Sequence, residues 1–153
     1  MARAKTRTAE IDAVRVADEL RPSLLRLGRE LRREARTAGA STEQIAILVT
    51  IKYAPGIGVG ELAARERVSK PAMSKLVKRL ERDGLVERSP DERDRRRSGL
   101  RVTPDGHRLL RRVRSRRTAW LATRLRGLDP ADRAALEAAV EPLAHLLREE
   151  DGR

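Results

Sequence analysis

Residues 68–102 read VSKPAMSKLVKRLERDGLVERSPDERDRRRSGLRV, and their punctuation divides them in two. Ser69 followed by Pro71 suits a helix start, because the serine oxygen can cap a backbone N–H and a proline in the first turn loses nothing the helix needs. Met73, Leu76, Val77 and Leu80 then recur at i, i+3, i+4, i+7, which makes one buried stripe and leaves Lys70, Ser74, Lys75, Lys78 and Arg82 facing outward. Gly84 suits the left-handed residue that ends a helix. Beyond it, LVER at 85–88 and LRV at 100–102 alternate apolar with charged side chains, and Pro90 and Gly99 flank the stretch between them, so a β-hairpin is predicted with the charge run at its tip.

Upstream, ELAARE at 61–66 predicts a short helix with Leu62 and Ala63 inward, broken at Arg67 and Val68. Two helices joined by a tight turn, the second basic on its outward face, make a helix-turn-helix, and the hairpin behind it makes a wing. A helix fits the major groove of duplex DNA, and its early residues can reach base edges and phosphates. Ser69, Lys70, Pro71, Ser74, Lys75 and Lys78 are therefore the candidate DNA-binding residues of the helix. Arginine suits a narrow, strongly negative minor groove, so Arg93, Arg95 and Arg96 are the candidates of the wing. Carboxylates beside phosphate are costly unless they hold something in place, which gives Asp91 and Asp94 the role of bracing those arginines. The bland alternatives are a helical hairpin with a solvated lysine face and a solvated loop at 89–99.

The bulk of the chain agrees with a polyanionic partner. Its 153 residues suit one domain with appended helices, and 35 Lys and Arg against 23 Asp and Glu leave a net charge of +12. With Cys and Phe absent, Leu, Ala and Val must fill the core, and disulfides and thiolate zinc sites are excluded. No apolar run marks export or membrane insertion, which predicts a cytoplasmic protein with no membrane partner. His107 and His145 stand on separate predicted helices with no partner at catalytic spacing, and no nucleophile or metal motif accompanies them. The reading is not an enzyme, with no cofactor and no metal. Gly56, Gly58 and Gly60 do not meet the spacing of a nucleotide loop and read as a turn.

The flanks read as helices. Ile11, Val14, Ala17, Leu20, Leu24, Leu27, Leu31 and Ala35 give an amphipathic helix over about 8–37, which Pro22 should kink or split. Ser41 with Gln44 forms a capping box for a helix to about Tyr53. Thr103 with Pro104 starts a helix to about Arg126, and Asp129 with Pro130 another to about Arg148, lined by Leu136, Val140, Leu143 and Leu147. The first of these carries an Arg111, Arg112, Arg114, Arg116, Arg117 cluster that reads as a solvated face, with phosphate contact as the alternative. Residues 103–126 hold eight basic side chains and one acidic, residues 127–153 three and seven. Such terminal helices either fold on each other as a local hairpin or pair two copies of the chain.

The chain resembles the MarR (multiple antibiotic resistance regulator) family of bacterial winged-helix transcription factors. The resemblance is carried by ELA at 61–63, VSKPAMSKLVKRLE at 68–81, DGLVER at 83–88, DERDRR at 91–96 and TPDG at 103–106. It implies a mainly α winged helix-turn-helix with a small β-hairpin wing, flanked by N- and C-terminal dimerisation helices: residues 1–40, then a DNA-binding lobe at 41–102, then 103–153. It implies a homodimer that binds double-stranded DNA at a pseudo-palindromic operator as a repressor, with recognition helix 69–83 in the major groove and wing 88–101 at the minor groove. A small-molecule effector releasing DNA is also implied, and Tyr53 and Trp120, the only aromatic side chains, are the candidates to line its pocket, with core packing as their alternative role. Two positions depart from the family pattern: Arg67 stands where Gly is frequent before the recognition helix, and Gly58 where a Ser or Thr cap is usual. The alternative function is a nonspecific basic nucleic-acid-binding or chromatin-associated protein.

Overall fold

The computed structural model describes residues 2–90 and 98–147. Their order is α1 (Ala2–Thr37), α2 (Thr42–Tyr53), α3 (Val59–Arg65), α4 (Lys70–Arg82), β1 (Val86–Pro90), β2 (Ser98–Val102), α5 (Pro104–Arg126) and α6 (Pro130–His145). This is the mainly helical winged helix-turn-helix expected, with one antiparallel hairpin. The chain forms two compact units, Met1–Arg117 and Thr118–Arg153, and α5 runs from one into the other.

In the first unit α1 is a single helix through Pro22, so of the kink or split expected there the split does not occur. Pro22 deprives the Asp18 carbonyl of its donor, but both residues are exposed, and water can take the freed oxygen. Val14, Val16, Leu20, Leu24 and Leu25 of this helix are also exposed, and only from Ala35 onward does its apolar stripe enter the core. There it meets Ile45, Leu48 and Ile51 of α2, Leu62 of α3, Met73, Val77 and Leu80 of α4, Val86 and Leu100 of the hairpin, and Leu109 and Val113 of α5. The capping box expected at α2 forms, Ser41 Oγ accepting from the Gln44 N–H at 3.1 Å and the Gln44 side chain accepting from the Ser41 N–H at 2.9 Å.

Three helices of this unit end in the same way. At α1, α3 and α4 the chain turns back through a left-handed residue, and the next N–H bonds to a carbonyl five residues earlier: Ala40 to Ala35, Val68 to Ala63, Leu85 to Leu80. The left-handed residue is Gly39 (φ 85°) at α1 and Gly84 (φ 72°) at α4, but Arg67 (φ 54°) at α3. A side chain costs roughly 1–2 kcal/mol in that conformation. Arg67 is the only non-glycine residue with positive φ among those described.

Just beyond Gly84, three elements are joined at one point. Thr103 donates its hydroxyl to the Gly84 carbonyl at 2.6 Å, its N–H bonds to the Leu85 carbonyl at 3.1 Å, and its Oγ1 accepts from the Gly106 N–H at 3.1 Å, capping α5. Gly106 is buried, and a Cβ there would overlap the Leu85 carbonyl and come 2.6 Å from Val102 Cγ1. The ThrProAspGly motif thus has a physical reading: threonine ties the end of α4 to the start of α5, and glycine lets the residue that leads into the wing lie against the helix. The hairpin itself pairs Val86 with Val102 and Arg88 with Leu100. It gains a third rung from the turn after α2, where the Gly56 N–H bonds to the Leu100 carbonyl at 2.8 Å and the Leu100 N–H to the Ile57 carbonyl at 2.9 Å. Gly99 is needed for that approach, since a Cβ would come 2.5 Å from Gly56 Cα.

The arginine cluster of α5 is more than a solvated face. Arg112 Nε donates to the Ala38 carbonyl at 3.1 Å, Arg117 Nε to the Leu31 carbonyl at 3.1 Å, and Arg116 pairs with Glu34 at 3.6 Å. Ala38 lies just past the end of α1, where carbonyls lack an intrahelical donor, and guanidinium groups there also complement the negative end of the dipole. Arg111 and Arg114 are exposed.

In the second unit, Asp129 Oδ1 accepts from the Asp132 N–H at 2.9 Å and starts α6, as its sequence predicts. The helix ends at His145 rather than about Arg148, its last turn tightening as the Leu147 N–H bonds to Ala144 three residues back. Leu136 and Val140 of its apolar stripe are exposed, as is Leu147 just past its end, and no residue of α6 is buried. The single chain therefore does not cover these residues as a local hairpin would.

The joint carries the first prediction. Gly106→Ala should destabilise the fold by about 1–3 kcal/mol, the usual cost of overpacking a buried site, read as a lowered urea midpoint at unchanged slope. Gly60→Ala, inside α3 where a Cβ meets nothing nearer than the Lys70 Cε at 4.0 Å, should leave the fold at least as stable as wild type, since alanine is the better helix former.

Candidate nucleic-acid interface

The chemistry is concentrated on α4. Ser69 is its N-cap, with extended backbone, and accepts from the Ala72 N–H at 3.4 Å, while Pro71 stands in the first turn. Met73, Val77 and Leu80 are buried beneath the helix. At 100° per residue Lys70, Ser74, Lys75, Lys78 and Arg82 lie within an arc of about 140° on the other side. Lys70, Pro71, Lys75, Lys78 and Arg82 are exposed and Ser74 is half-buried. Among the described residues no carboxylate pairs with Lys70, Lys75 or Lys78. Arg79, at the edge of this face, has Asp83 at 3.9 Å. The result is a row of uncompensated cations on a rigid helix, which suits phosphate and guanine acceptors.

Two contacts hold the neighbouring elements to this helix. Thr50 of α2 donates to Glu66 at 2.5 Å, which fixes the residue that precedes Arg67 in the turn. Arg88 of β1 donates to Glu81 of α4 at 2.7 Å, with side-chain exposures of 42% and 27%. A partly shielded bond of this length orients the hairpin relative to the helix more than it stabilises the fold. Across the hairpin, Arg101 Nε donates to Ser89 Oγ at 2.9 Å. The base of the wing is thus braced by Arg88, Glu81, Ser89 and Arg101, none of which the sequence singles out for that role. Of the expected wing residues, Asp91, Arg93, Asp94, Arg95 and Arg96 lie outside the described residues.

The other expected residues fall in both units. Tyr53, at the end of α2 in the first unit, is 76% exposed and has Lys52 Nζ 5.1 Å from its ring centre. Its exposure rules out core packing. Trp120 belongs to the second unit, is half-buried, and carries the Arg124 guanidinium 3.7 Å from its ring centre. His107 is half-buried in α5, and His145 lies 3.6 Å from Glu141 on the surface of α6. Within the first unit a cavity of about 430 Å³ opens between the α1–α2 turn, the end of α4 and the start of α5, with Gln44, Asp83, Asp105, Arg108 and Arg112 among its lining. Tyr53 does not line it. Among the described residues no three potential metal ligands stand together, and no helix is long and apolar enough to cross a membrane.

Residues 41–98 match the model of the MarR family. An HTH-type transcriptional regulator of Mycobacterium tuberculosis is 33% identical over 135 residues, 88% of this chain and 94% of that protein. The chain belongs to the MarR family of transcriptional regulators. In keeping with this, its MarR-family fold superposes on a transcriptional regulator of Pseudomonas aeruginosa with a TM-score of 0.77 at 33% identity, over 91% of this chain and 98% of the other. An S. aureus MepR mutant, solved bound to an oligodeoxyribonucleotide, shares the fold at a TM-score of 0.67 and 20% identity, over 87% of this chain and 98% of that one.

Ser69 allows capping and contact to be separated. Ser69→Ala should cost about 0.5–1 kcal/mol of stability, since the cap bond is long. Ser69→Asp keeps the cap and suits the helix dipole, so its thermal midpoint should match wild type while its affinity for duplex DNA falls. Unchanged affinity in Ser69→Asp would place this helix end away from phosphate.

Proposed function

We propose that this MarR-family regulator is a sequence-specific repressor that binds a pseudo-palindromic operator in duplex DNA as a homodimer. Recognition helix 69–83 enters the major groove and wing 88–101 lies at the minor groove. The observation that carries this reading is the cationic face of α4, where Lys70, Lys75 and Lys78 are exposed and, among the described residues, pair with no carboxylate, on a helix anchored in the core by Met73, Val77 and Leu80. Ser69, Lys70, Pro71, Ser74, Lys75 and Lys78 are its contact residues on the helix, and Arg93, Arg95 and Arg96, braced by Asp91 and Asp94, those of the wing. The oligodeoxyribonucleotide-bound relative of the same fold supports a nucleic-acid partner.

The dimer is supported by what a single chain leaves uncovered. Val14, Leu20 and Leu24 of α1 and Leu136 and Val140 of α6 lie at helical spacing and remain exposed, as does Leu147 just past the end of α6. Residues 1–40 and 103–153 act as dimerisation segments around the DNA-binding lobe at 41–102, and two-fold pairing sets two recognition helices about 34 Å apart, one turn of DNA. A small-molecule effector completes the reading: it releases DNA by favouring a lobe spacing that does not match the operator.

A second reading, a nonspecific basic nucleic-acid-binding or chromatin-associated protein, rests on the arginine excess alone. Two measurements separate them. Lys75→Ala should cost about 1–3 kcal/mol on the preferred duplex and relax preference at one base pair, whereas equal losses on preferred and random duplexes would reduce Lys75 to a phosphate contact. Sedimentation should show a dimer that prefers the full inverted repeat to a half-site; a monomer that binds the half-site equally well would refute the proposal.

A further inference from the structure

We infer that Arg67, in the turn between α3 and α4, is a phosphate-contacting residue of the DNA interface; this rests on the duplex-binding function proposed for the α4 face. The chain itself supplies the comparison. Its three left-handed helix ends have the same hydrogen bonding, and at α1 and α4 it uses the residue that conformation favours, Gly39 and Gly84. At α3, where the same turn leads into the recognition helix, it uses arginine at φ 54°. Nothing in the fold calls for that side chain. Arg67 is exposed, and among the described residues its guanidinium makes no ion pair or side-chain hydrogen bond.

An arginine-rich chain places arginines on many exposed sites, but a left-handed site opposes any side chain with a Cβ. What distinguishes this site is its position, two residues before the Ser69 cap and three before Lys70. The N-terminal end of a helix laid in the major groove meets the phosphate backbone with its N–H groups and positive dipole end. A guanidinium there adds a planar, bidentate donor to phosphate, which a glycine cannot. The turn is held in place for that role, since Glu66 is bonded to Thr50 of α2 and the Val68 N–H to the Ala63 carbonyl. The contact is to backbone and carries no base preference, so it extends the helix's cationic row without altering which sequence is read.

The test uses the full chain, Arg67→Gly and Arg67→Lys, and a labelled mixed-sequence duplex of two to three helical turns, titrated across a salt series, with thermal melting of each protein. Glycine relieves the left-handed strain, so Arg67→Gly should melt no lower than wild type, and up to about 4 °C higher. It should bind the duplex more weakly, with the slope of log affinity against log salt reduced by about 0.9, the loss of one phosphate contact. Arg67→Lys keeps the charge and should keep the slope. Stability and binding thus move in opposite directions in one variant. Arg67→Gly binding with the wild-type slope, Arg67→Gly melting below wild type, or Arg67→Lys losing the slope would each overturn the inference while leaving the duplex-binding function intact. A wild-type chain without salt-dependent duplex binding would overturn that function, and this inference with it.

Discussion

The C-terminal end of α4 is tied to the wing and to α5 by the contact between Thr103 and the turn at Gly84. One threonine hydroxyl donates to the end of α4 and accepts from the start of α5, and its own N–H bonds to Leu85 as the chain leaves for the wing. Helix, wing and the start of α5 are therefore fixed relative to one another within a few residues. Gly106 is the condition for this closeness, because the Leu85 carbonyl occupies the space a side chain would take. Polar groups gathered in a partly buried joint are costly unless each is bonded, and here the bonds run in a short closed chain.

From that joint outward, the surface divides by charge and polarity. The outward face of α4 offers lysines that, among the described residues, pair with no carboxylate, while the base of the wing engages its arginines, Arg88 with Glu81 of α4 and Arg101 with Ser89. The arginines of α5 at 112, 116 and 117 are committed to α1 and the turn behind it. Net charge of +12 draws any polyanion, but only cations that are not already engaged inside the fold can neutralise phosphate. What sets the α4 face apart from the general arginine excess is that its cations share one side of a helix anchored in the core by Met73, Val77 and Leu80.

Much of this is legible in the sequence because local rules and tertiary context agree. The stripe of Met73, Val77 and Leu80, the capping box at Ser41, the stop at Gly84 and the cap of α6 all follow from periodicity and end chemistry. Long-range contacts are not legible in that way. The rung between Gly56, Ile57 and Leu100 joins residues more than 40 positions apart, and three closely spaced glycines read locally as no more than a turn. The clamp of Arg112 and Arg117 on carbonyls of α1 and its terminal turn also has no local signature, since an exposed arginine run reads as solvated. Pro22 reads locally as a break, yet an exposed helix tolerates a lost bond that a buried one does not. Core packing of Tyr53 fails because aromatic character does not specify which face of α2 a residue occupies. For Arg67 a signal is present, a non-glycine residue where the family often has glycine, but its left-handed backbone emerges only from the three-dimensional turn.

On the function proposed here, a rigid cationic helix repeated by two-fold symmetry reads a specific duplex sequence. Selection of bound sequences from a random duplex pool tests it most directly. The two-fold arrangement predicts enrichment of an inverted repeat whose half-sites are centred about 10 base pairs apart, with the strongest preference at the positions facing the α4 lysines. Recovery of unselected sequence, with affinity set by duplex length and salt alone, would contradict it and leave a basic protein that coats nucleic acid without reading it.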